Sequence, residues 1–288
     1  MKLSHSPNRQ DTADRRSFLK NFGGATAALA IAGLASPRAL EAATGPNLRA
    51  VDTPKEIFTA ALIAEDLAVT FYYNGLIGAV IQDPNLAGPG GSATSISPSG
   101  QLDNVGYLRA ALTEESAHAD LFRLLLGIKS PTADPFQTFF FDPAAFETLD
   151  TFIATLSALE NAFIGACMAA VQQFGLMAGN GGTPTIDGVT YHPSDFAYFA
   201  KISASILGIE SEHRALIRSI SPALIPANQL NYEQTDGIAT VFNGPNSAVA
   251  ALTPFLSQSG PSVGYSLQTA LAHVGGLGLR TFDNVPQE

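Results

Sequence analysis

Two short stretches of the sequence pair a glutamate with a histidine three residues later. They are Glu115 and His118 within ALTEESAHADLF, and Glu210 and His213 within LGIESEHRAL. In an α-helix, residues three apart lie on one face, so each pair presents a carboxylate beside an imidazole. Both stretches repeat apolar residues at helical spacing, which places the pairs on the buried side. Ionisable groups are costly in an apolar core unless something compensates them.

Two further glutamates repeat this spacing. Glu65 precedes Glu115 by 50 residues, and Glu160 precedes Glu210 by 50 residues. The chain thus contains two similar halves offset by 95 residues, each with a Glu followed by a Glu-x-x-His. An internal duplication of a helical hairpin is the simplest origin of this repeat.

Four carboxylates and two imidazoles on four helices form a pattern that favours a pair of metal ions. Buried carboxylates without a cation would repel one another and take up protons. Two divalent cations balance them, and neutral imidazoles complete the coordination. The oxygen-rich donor set favours iron or manganese, because zinc and copper sit more often among histidines and cysteines. The predicted ligands are Glu65, Glu115, His118, Glu160, Glu210 and His213.

The roles of individual carboxylates stay open at this point. Glu65 and Glu160 are either terminal ligands, one to each ion, or some glutamates bridge both ions. Glu114 and Glu212 are less suited as ligands, because they lie off the apolar face of their helices. The alternative is a metal-free core in which buried Glu and His side chains satisfy one another, which requires every member to be paired.

Other reactive side chains have weaker patterns. Tyr72 and Tyr73 lie one to two helical turns beyond Glu65, and we expect them to pack as aromatics rather than to act as redox or supporting groups. Cys167 is the only cysteine, which excludes an internal disulfide framework and a cysteine-based zinc site. Its apolar surroundings predict a buried structural thiol.

Four long helices are expected to position these residues. Thr53-Pro54-Lys55-Glu56 is a capping box with proline at the first helical position, and it predicts a helix over 54–80. The other predicted helices cover 105–126, 142–174 and 193–220, with a loop rich in Gly, Pro and Ser over 83–104. These lengths indicate an all-α protein built on a four-helix bundle, with a C-terminal extension of short helices.

Composition narrows the class of protein. The chain has 288 residues, of which 46% are hydrophobic and 14% charged, so it can form one domain with a sizeable core plus appendages. Its formal net charge of -10 repels phosphate backbones, which excludes nucleic acid as an expected partner.

The amino terminus resembles a twin-arginine export signal. Residues 14–35, DRRSFLKNFGGATAALAIAGLA, match the pattern Arg-Arg-x-Phe-Leu-Lys and continue into a mild apolar run. Cleavage is expected after Ala35 or Ala42, which makes the mature protein periplasmic or secreted. The resemblance implies the twin-arginine machinery as a partner, and that route carries folded proteins, often with a cofactor already inserted.

The helical segments resemble the ferritin-like superfamily, and in particular exported ferritin-like proteins similar to plant desiccation-related proteins. The resemblance covers about residues 54–220 and rests on ALIAEDLAVTFYYNGL, ALTEESAHADLFRLLLG, FFFDPAAFETLDTFIATLSALENAF and ASILGIESEHRALIR. It implies a di-metal four-helix bundle over 43–225, after a cleaved signal over 1–42. Residues 226–288 would form the extension, which packs on the bundle, pairs with a second subunit or covers the site.

Fold resemblance leaves the reaction open, because ferritin-like relatives include ferroxidases, manganese catalases and oxygen-activating oxidases. The first hypothesis is a stress-protective redox enzyme acting on a small substrate such as peroxide or oxygen. The second is a non-catalytic stress-associated or desiccation-associated structural or binding protein that keeps the fold. Iron storage is a third, and it would need a large symmetric homo-oligomer.

Overall fold

The computed structural model describes residues 52–78, 80, 104–220 and 237–274. The predicted export signal over 1–42, the loop over 83–103, the junction around 225 and the last fourteen residues lie outside the described residues.

The described part of the chain is mostly helical, as predicted. Its four long helices are α1 Pro54–Leu76, α2 Asn104–Leu126, α3 Leu149–Gly179 and α4 Pro193–Ile220, and two short ones are α5 Ala248–Leu256 and α6 Leu267–Val274. The predicted capping box starts α1: Glu56 N–H donates to the Thr53 hydroxyl, and Thr53 N–H donates to the Glu56 carboxylate at 2.8 Å. This helix ends at Leu76, one turn before the predicted end.

The third helix begins later than the sequence pattern predicts. Asp142 accepts a hydrogen bond from Ala144 N–H and caps only a single 3₁₀ turn, Pro143–Phe146. The long helix starts after Thr148, whose hydroxyl accepts from Thr151 N–H. Two successive helix-start signals stand in this segment, and in the structure only the second begins a long helix.

The described residues also form four short strands, which the sequence pattern did not predict. They are β1 Thr138–Phe141, β2 Thr185–Ile186, β3 Val189–Thr190 and β4 Val263–Ser266. β1 pairs antiparallel with β4, with Phe139 opposite Tyr265, so the C-terminal extension is joined to the segment before α3. β2 and β3 form a hairpin between α3 and α4 whose turn, Asp187-Gly188, has positive φ at both residues.

The long helices pack in two close pairs, α1 with α2 and α3 with α4, and the pairs meet where α1 contacts α3 and α2 contacts α4. α5 lies against α1 and α3, while α6 lies against α1 and α2. The described part of the extension therefore packs on the long helices. α3 is long and apolar enough to span a membrane, and most of its most apolar 18-residue window is buried within the protein.

A buried aspartate fastens the extension to the start of α1. The Asp52 carboxylate accepts hydrogen bonds from the backbone N–H groups of Val241, Phe242 and Asn243 at 2.8–3.0 Å. Gln173 on α3 donates to the same carboxylate at 2.6 Å. These bonds hold the loop before α5 over the junction of α1 and α3.

Buried apolar side chains form two clusters along the long helices. On α1, Phe58 belongs to one cluster and Phe71 to the other. Glu65 lies midway between them on the same helix, so the two clusters pack on either side of the polar centre.

Candidate metal centre

The structure brings all six predicted ligands together in the interior. α1 contributes Glu65, α2 contributes Glu115 and His118, α3 contributes Glu160, and α4 contributes Glu210 and His213. The most exposed of them, His118, is 9% exposed. Each helix thus supplies one element of the pattern, as the duplicated spacing predicts.

The ligand atoms form two sets of four, with all atoms in a set within 4.8 Å of one another. The first set is Glu65, Glu115, His118 and Glu210; the second is Glu115, Glu160, Glu210 and His213. Two glutamates, Glu115 and Glu210, belong to both sets, so each could bridge if both sets held an ion. Glu65 and His118 belong only to the first set, and Glu160 and His213 only to the second, so they would be terminal ligands.

Distances in the first set suit atoms that share a cation. Nδ1 of His118 lies 3.5 Å from Glu65 Oε2, 3.6 Å from Glu115 Oε2 and 3.5 Å from Glu210 Oε1. These separations are too long for hydrogen bonds. They are close to the separation of about 3 Å between neighbouring ligands of an octahedral ion bound at about 2.1 Å.

The second set is similar but tighter. Nδ1 of His213 lies 2.9 Å from Glu115 Oε1, 3.7 Å from Glu210 Oε2 and 3.8 Å from Glu160 Oε1. The shortest of these contacts does not have the alignment of a hydrogen bond. Both imidazoles thus turn Nδ1 toward the shared carboxylates.

Seven of the converging atoms are buried without a hydrogen-bond partner among the described residues. They are both carboxylate oxygens of Glu115 and of Glu210, Oε2 of Glu160, and Nδ1 of His118 and of His213. Buried polar atoms are nearly always paired in native proteins, and a half-satisfied network is costly. Hydrogen bonds among the described residues do not satisfy these atoms, and metal ions bound by the two sets could do so.

The pKa values of two carboxyls in the cluster also suit a cation-binding site. Burial raises the pKa of the Glu65 carboxyl, and the charge of Glu115 raises it further. Burial and the charge of Glu210 likewise hold the pKa of Glu160 well above its usual range. Without cations, these carboxyls retain protons that a bound ion would displace.

The histidines and the carboxylates of the cluster stabilise one another's charged forms. Burial disfavours the charged form of His118, but the charge of Glu65 and the adjacent carboxylates of Glu115 and Glu210 outweigh it and raise the pKa of the imidazole. Burial would also raise the pKa of the Glu115 carboxyl, but the adjacent imidazoles of His118 and His213 hold it well below its usual range. Without metal, the cluster therefore favours the protonated forms of Glu65 and Glu160 and the ionised form of Glu115.

Glu114 supports the site, although the sequence placed it off the apolar face. Its carboxylate lies at 2.8 Å from Nε2 of His213, and its side chain is 48% exposed. An Nε2–H donated to this carboxylate leaves the Nδ1 lone pair facing the shared carboxylates. Glu212, the other neighbouring glutamate, is exposed, as its helical position predicts.

Tyr72 also has a role beyond packing, so that expectation was wrong. Its hydroxyl donates a hydrogen bond of 2.6 Å to Oε1 of Glu160, and the residue is fully buried. Burial and the nearby Glu160 carboxylate raise the pKa of the phenol, which therefore stays a donor. Tyr73 packs as expected, with its ring stacked on His273 at 5.2 Å.

A buried ion-pair network next to the site was not singled out by the sequence. The Arg123 guanidinium donates to Asp66 at 2.5 Å and to Asp134 at 2.9 Å. It ties α2 to α1 one residue away from Glu65 and also holds the segment that follows α2. This network fixes the relative position of α1 and α2, which carry three of the four residues of the first ligand set.

Cys167 is half-buried rather than fully buried. Burial raises the pKa of its thiol, and the carboxylates of Glu210 and Glu65 raise it further. The thiol thus stays protonated near neutral pH, as a structural cysteine does.

Comparison of the chain with protein-family models, with curated proteins and with solved structures finds no match.

Proposed function

We propose that this chain is an exported di-metal carboxylate protein with a ferritin-like four-helix bundle, and that it holds two iron or manganese ions. The observation that carries the proposal is the sharing of Glu115 and Glu210 between two buried sets of ligand atoms. One cation would satisfy only one set and leave the other with buried, unpaired oxygens. Four carboxylates balance two divalent ions without surplus charge.

The proposed activity is redox chemistry on peroxide or oxygen in a stress-protective role. Two adjacent redox-active ions, when bound, supply paired one-electron changes to such small oxidants. Oxygen-rich ligation supports iron or manganese over zinc. The resemblance of the amino terminus to a twin-arginine signal supports a periplasmic or secreted location, with the metals inserted before export.

The protein's own residues supply orientation and charge. Glu114 orients His213 through Nε2, and Tyr72 holds one oxygen of Glu160 by a hydrogen bond, leaving Oε2 of Glu160 for an ion. The two apolar clusters exclude water from the ends of the site, which strengthens electrostatic interactions within it.

The test is elemental analysis of protein purified from an exporting host, with a Glu115→Ala/Glu210→Ala variant beside it. We expect about two iron or manganese ions per chain in the wild type and loss of both in the variant. Glu212→Ala is the matched control, since it removes an exposed glutamate from the same helix. Wild-type protein without stoichiometric metal would overturn the proposal.

Turnover is tested separately on the metal-loaded protein. Peroxide or air-saturated buffer is added, and the oxidation state of the metal is followed by optical and electron paramagnetic resonance spectroscopy. Repeated redox change with consumption of oxidant supports the enzyme. Metal that stays bound without changing state would instead support the structural or binding protein.

A further inference from the structure

A small apolar cavity adjoins one of the two ligand sets. It lies between α1 and α3, beneath Val241 and Leu252 of the C-terminal extension, and its volume is about 30 Å³. That is room for roughly two water-sized molecules. Most of its wall is alanine and phenylalanine, including Ala61, Ala166, Ala170 and Phe58.

The cavity reaches the metal ligands at one residue. Glu65 is part of its wall, and 8% of the Glu65 side chain is accessible. The other carboxylates of the cluster are sealed, with accessible fractions of 0% for Glu115 and Glu160 and 1% for Glu210. A molecule in the cavity would therefore meet the Glu65–His118 end of the centre.

The duplication explains why the space exists at this end. Tyr72 follows Glu65 by seven residues, and Cys167 follows Glu160 by seven, so the two occupy equivalent positions 95 residues apart. Tyr72 fills the space beside Glu160 and donates to it at 2.6 Å. Cys167 is much smaller and lines the cavity beside Glu65. The centre is thus closed by a phenol at one end and open to an apolar cavity at the other.

The cavity wall has few polar groups, so it suits an apolar molecule better than a polar one. A buried water needs two to four polar partners, and peroxide has the same need for hydrogen bonds. Among the described residues of the wall, only Glu65, Cys167 and Ser203 carry a side-chain heteroatom, and the Ser203 hydroxyl donates to the carbonyl of Phe199 at 3.0 Å. An apolar diatomic gas requires none of these partners and matches the size of the space.

We infer that this cavity binds dioxygen and delivers it to the Glu65–His118 end of the centre, which makes dioxygen rather than peroxide the oxidant selected by the protein. The inference rests on the proposed function, because delivery needs a metal centre to receive the gas. Gas binding by the cavity itself does not depend on the metals, so the two are tested separately.

The first experiment uses xenon, an apolar probe that enters dry cavities. Metal-free protein is titrated with xenon and followed by ¹²⁹Xe NMR, in the wild type and in Ala166→Leu and Cys167→Phe, which fill the space. We expect saturable binding in the wild type and its loss in both variants. Ala158→Leu is the matched control, since Ala158 is a half-buried residue of α3 outside the cavity wall. Wild-type protein that binds no more xenon than the filled variants would overturn the inference.

The second experiment compares oxidants on Fe(II)-loaded protein. We expect Ala166→Leu to slow oxidation by dioxygen by about tenfold while leaving oxidation by peroxide within about twofold, a selective barrier of about 1.4 kcal/mol. Metal content and far-ultraviolet circular dichroism confirm that the variant is folded and loaded, and Cys167→Phe serves if it is not. Equal slowing with both oxidants, or no slowing with dioxygen, would overturn delivery through the cavity. If wild-type protein reacts with neither oxidant, the proposed function fails, and the delivery role fails with it even where xenon binds.

Discussion

Nε2 of His213 on α4 and the carboxylate of Glu114 on α2 lie 2.8 Å apart, although 99 residues separate them in the chain. The contact has no counterpart in the other half of the duplication. The residue 95 positions after Glu114 is Ile209, which cannot accept a proton from an imidazole. The two ends of the centre therefore differ in the groups that support their histidines, and several expected outcomes follow from that difference.

Glu114→Ala should weaken the metal site of Glu160 and His213 while sparing the other. Loss of a carboxylate that orients a ligating histidine reduces metal affinity by about 10- to 100-fold. Manganese titration followed by electron paramagnetic resonance should show one tight and one weakened site. Glu212→Ala should leave both sites tight, because Glu212 is exposed. Equal weakening of both sites would contradict the assigned pairing.

Removal of a terminal glutamate should cost fewer bound ions than removal of a bridging glutamate. Glu65→Ala deletes a ligand from one set only, so the protein should keep about one ion per chain. Glu115→Ala deletes a ligand shared by both sets and should cost both ions. Metal content after gel filtration distinguishes the cases. Retention of both ions by Glu115→Ala would refute a bridging role.

Tyr72→Phe should destabilise the metal-free protein more than Tyr73→Phe. The first change removes the donor that satisfies Oε1 of fully buried Glu160, which costs about 1–3 kcal/mol. The second removes a hydroxyl from a ring that is held by stacking on His273. Urea unfolding with and without metal measures both, and the difference should shrink when the ions are bound. Equal stability of the two variants would show that the hydrogen bond contributes nothing.

The metal-free protein should lose stability as pH rises through the neutral range. The pKa values of Glu65, Glu160 and His118 are raised above their ordinary values by the surroundings described above. A group whose pKa is raised on folding stabilises the folded state at pH values below its ordinary pKa. This stabilisation is lost as the pH rises from the ordinary pKa through the raised pKa. Glu115 has a lowered pKa, so its contribution is lost only in strong acid.

Bound cations should reverse this trend, because they compensate the ionised carboxylates. The gap in thermal midpoint between loaded and metal-free protein should therefore widen as pH rises above the ordinary pKa values of Glu and His, about 4.3 and about 6.5. Differential scanning calorimetry measures the gap directly. A gap that narrows over this range would mean that the cluster does not hold protons in the absence of metal.

Gly75→Ala should destabilise the junction of α1 and α3. A Cβ on Gly75 would lie 2.1 Å from the ring of Phe152, so the helices approach closely there and the ring would have to move. Overpacking of this kind costs about 1–3 kcal/mol. Gly208→Ala, in α4 with open space around it, should instead stabilise by about 0.5–1 kcal/mol. Chemical denaturation of the two variants checks the sign of each effect.

The sequence by itself was sufficient to find the six residues that converge, because their spacing repeats and each falls on the apolar face of a helix. Helix starts marked by a single strong cap were also predictable, as at Thr53. The start of α3 was not, because Asp142 and Thr148 both carry cap signals and only packing decides which one continues.

Other features were decided by tertiary structure alone. Glu114 lies off the apolar face of α2, so its role depends on α4 lying beside that helix. Tyr72 reaches Glu160 only because α1 and α3 are neighbours, and the cavity beside Cys167 exists only where the extension covers them. Periodicity tells which face of a helix is buried, whereas contacts between helices depend on which faces meet.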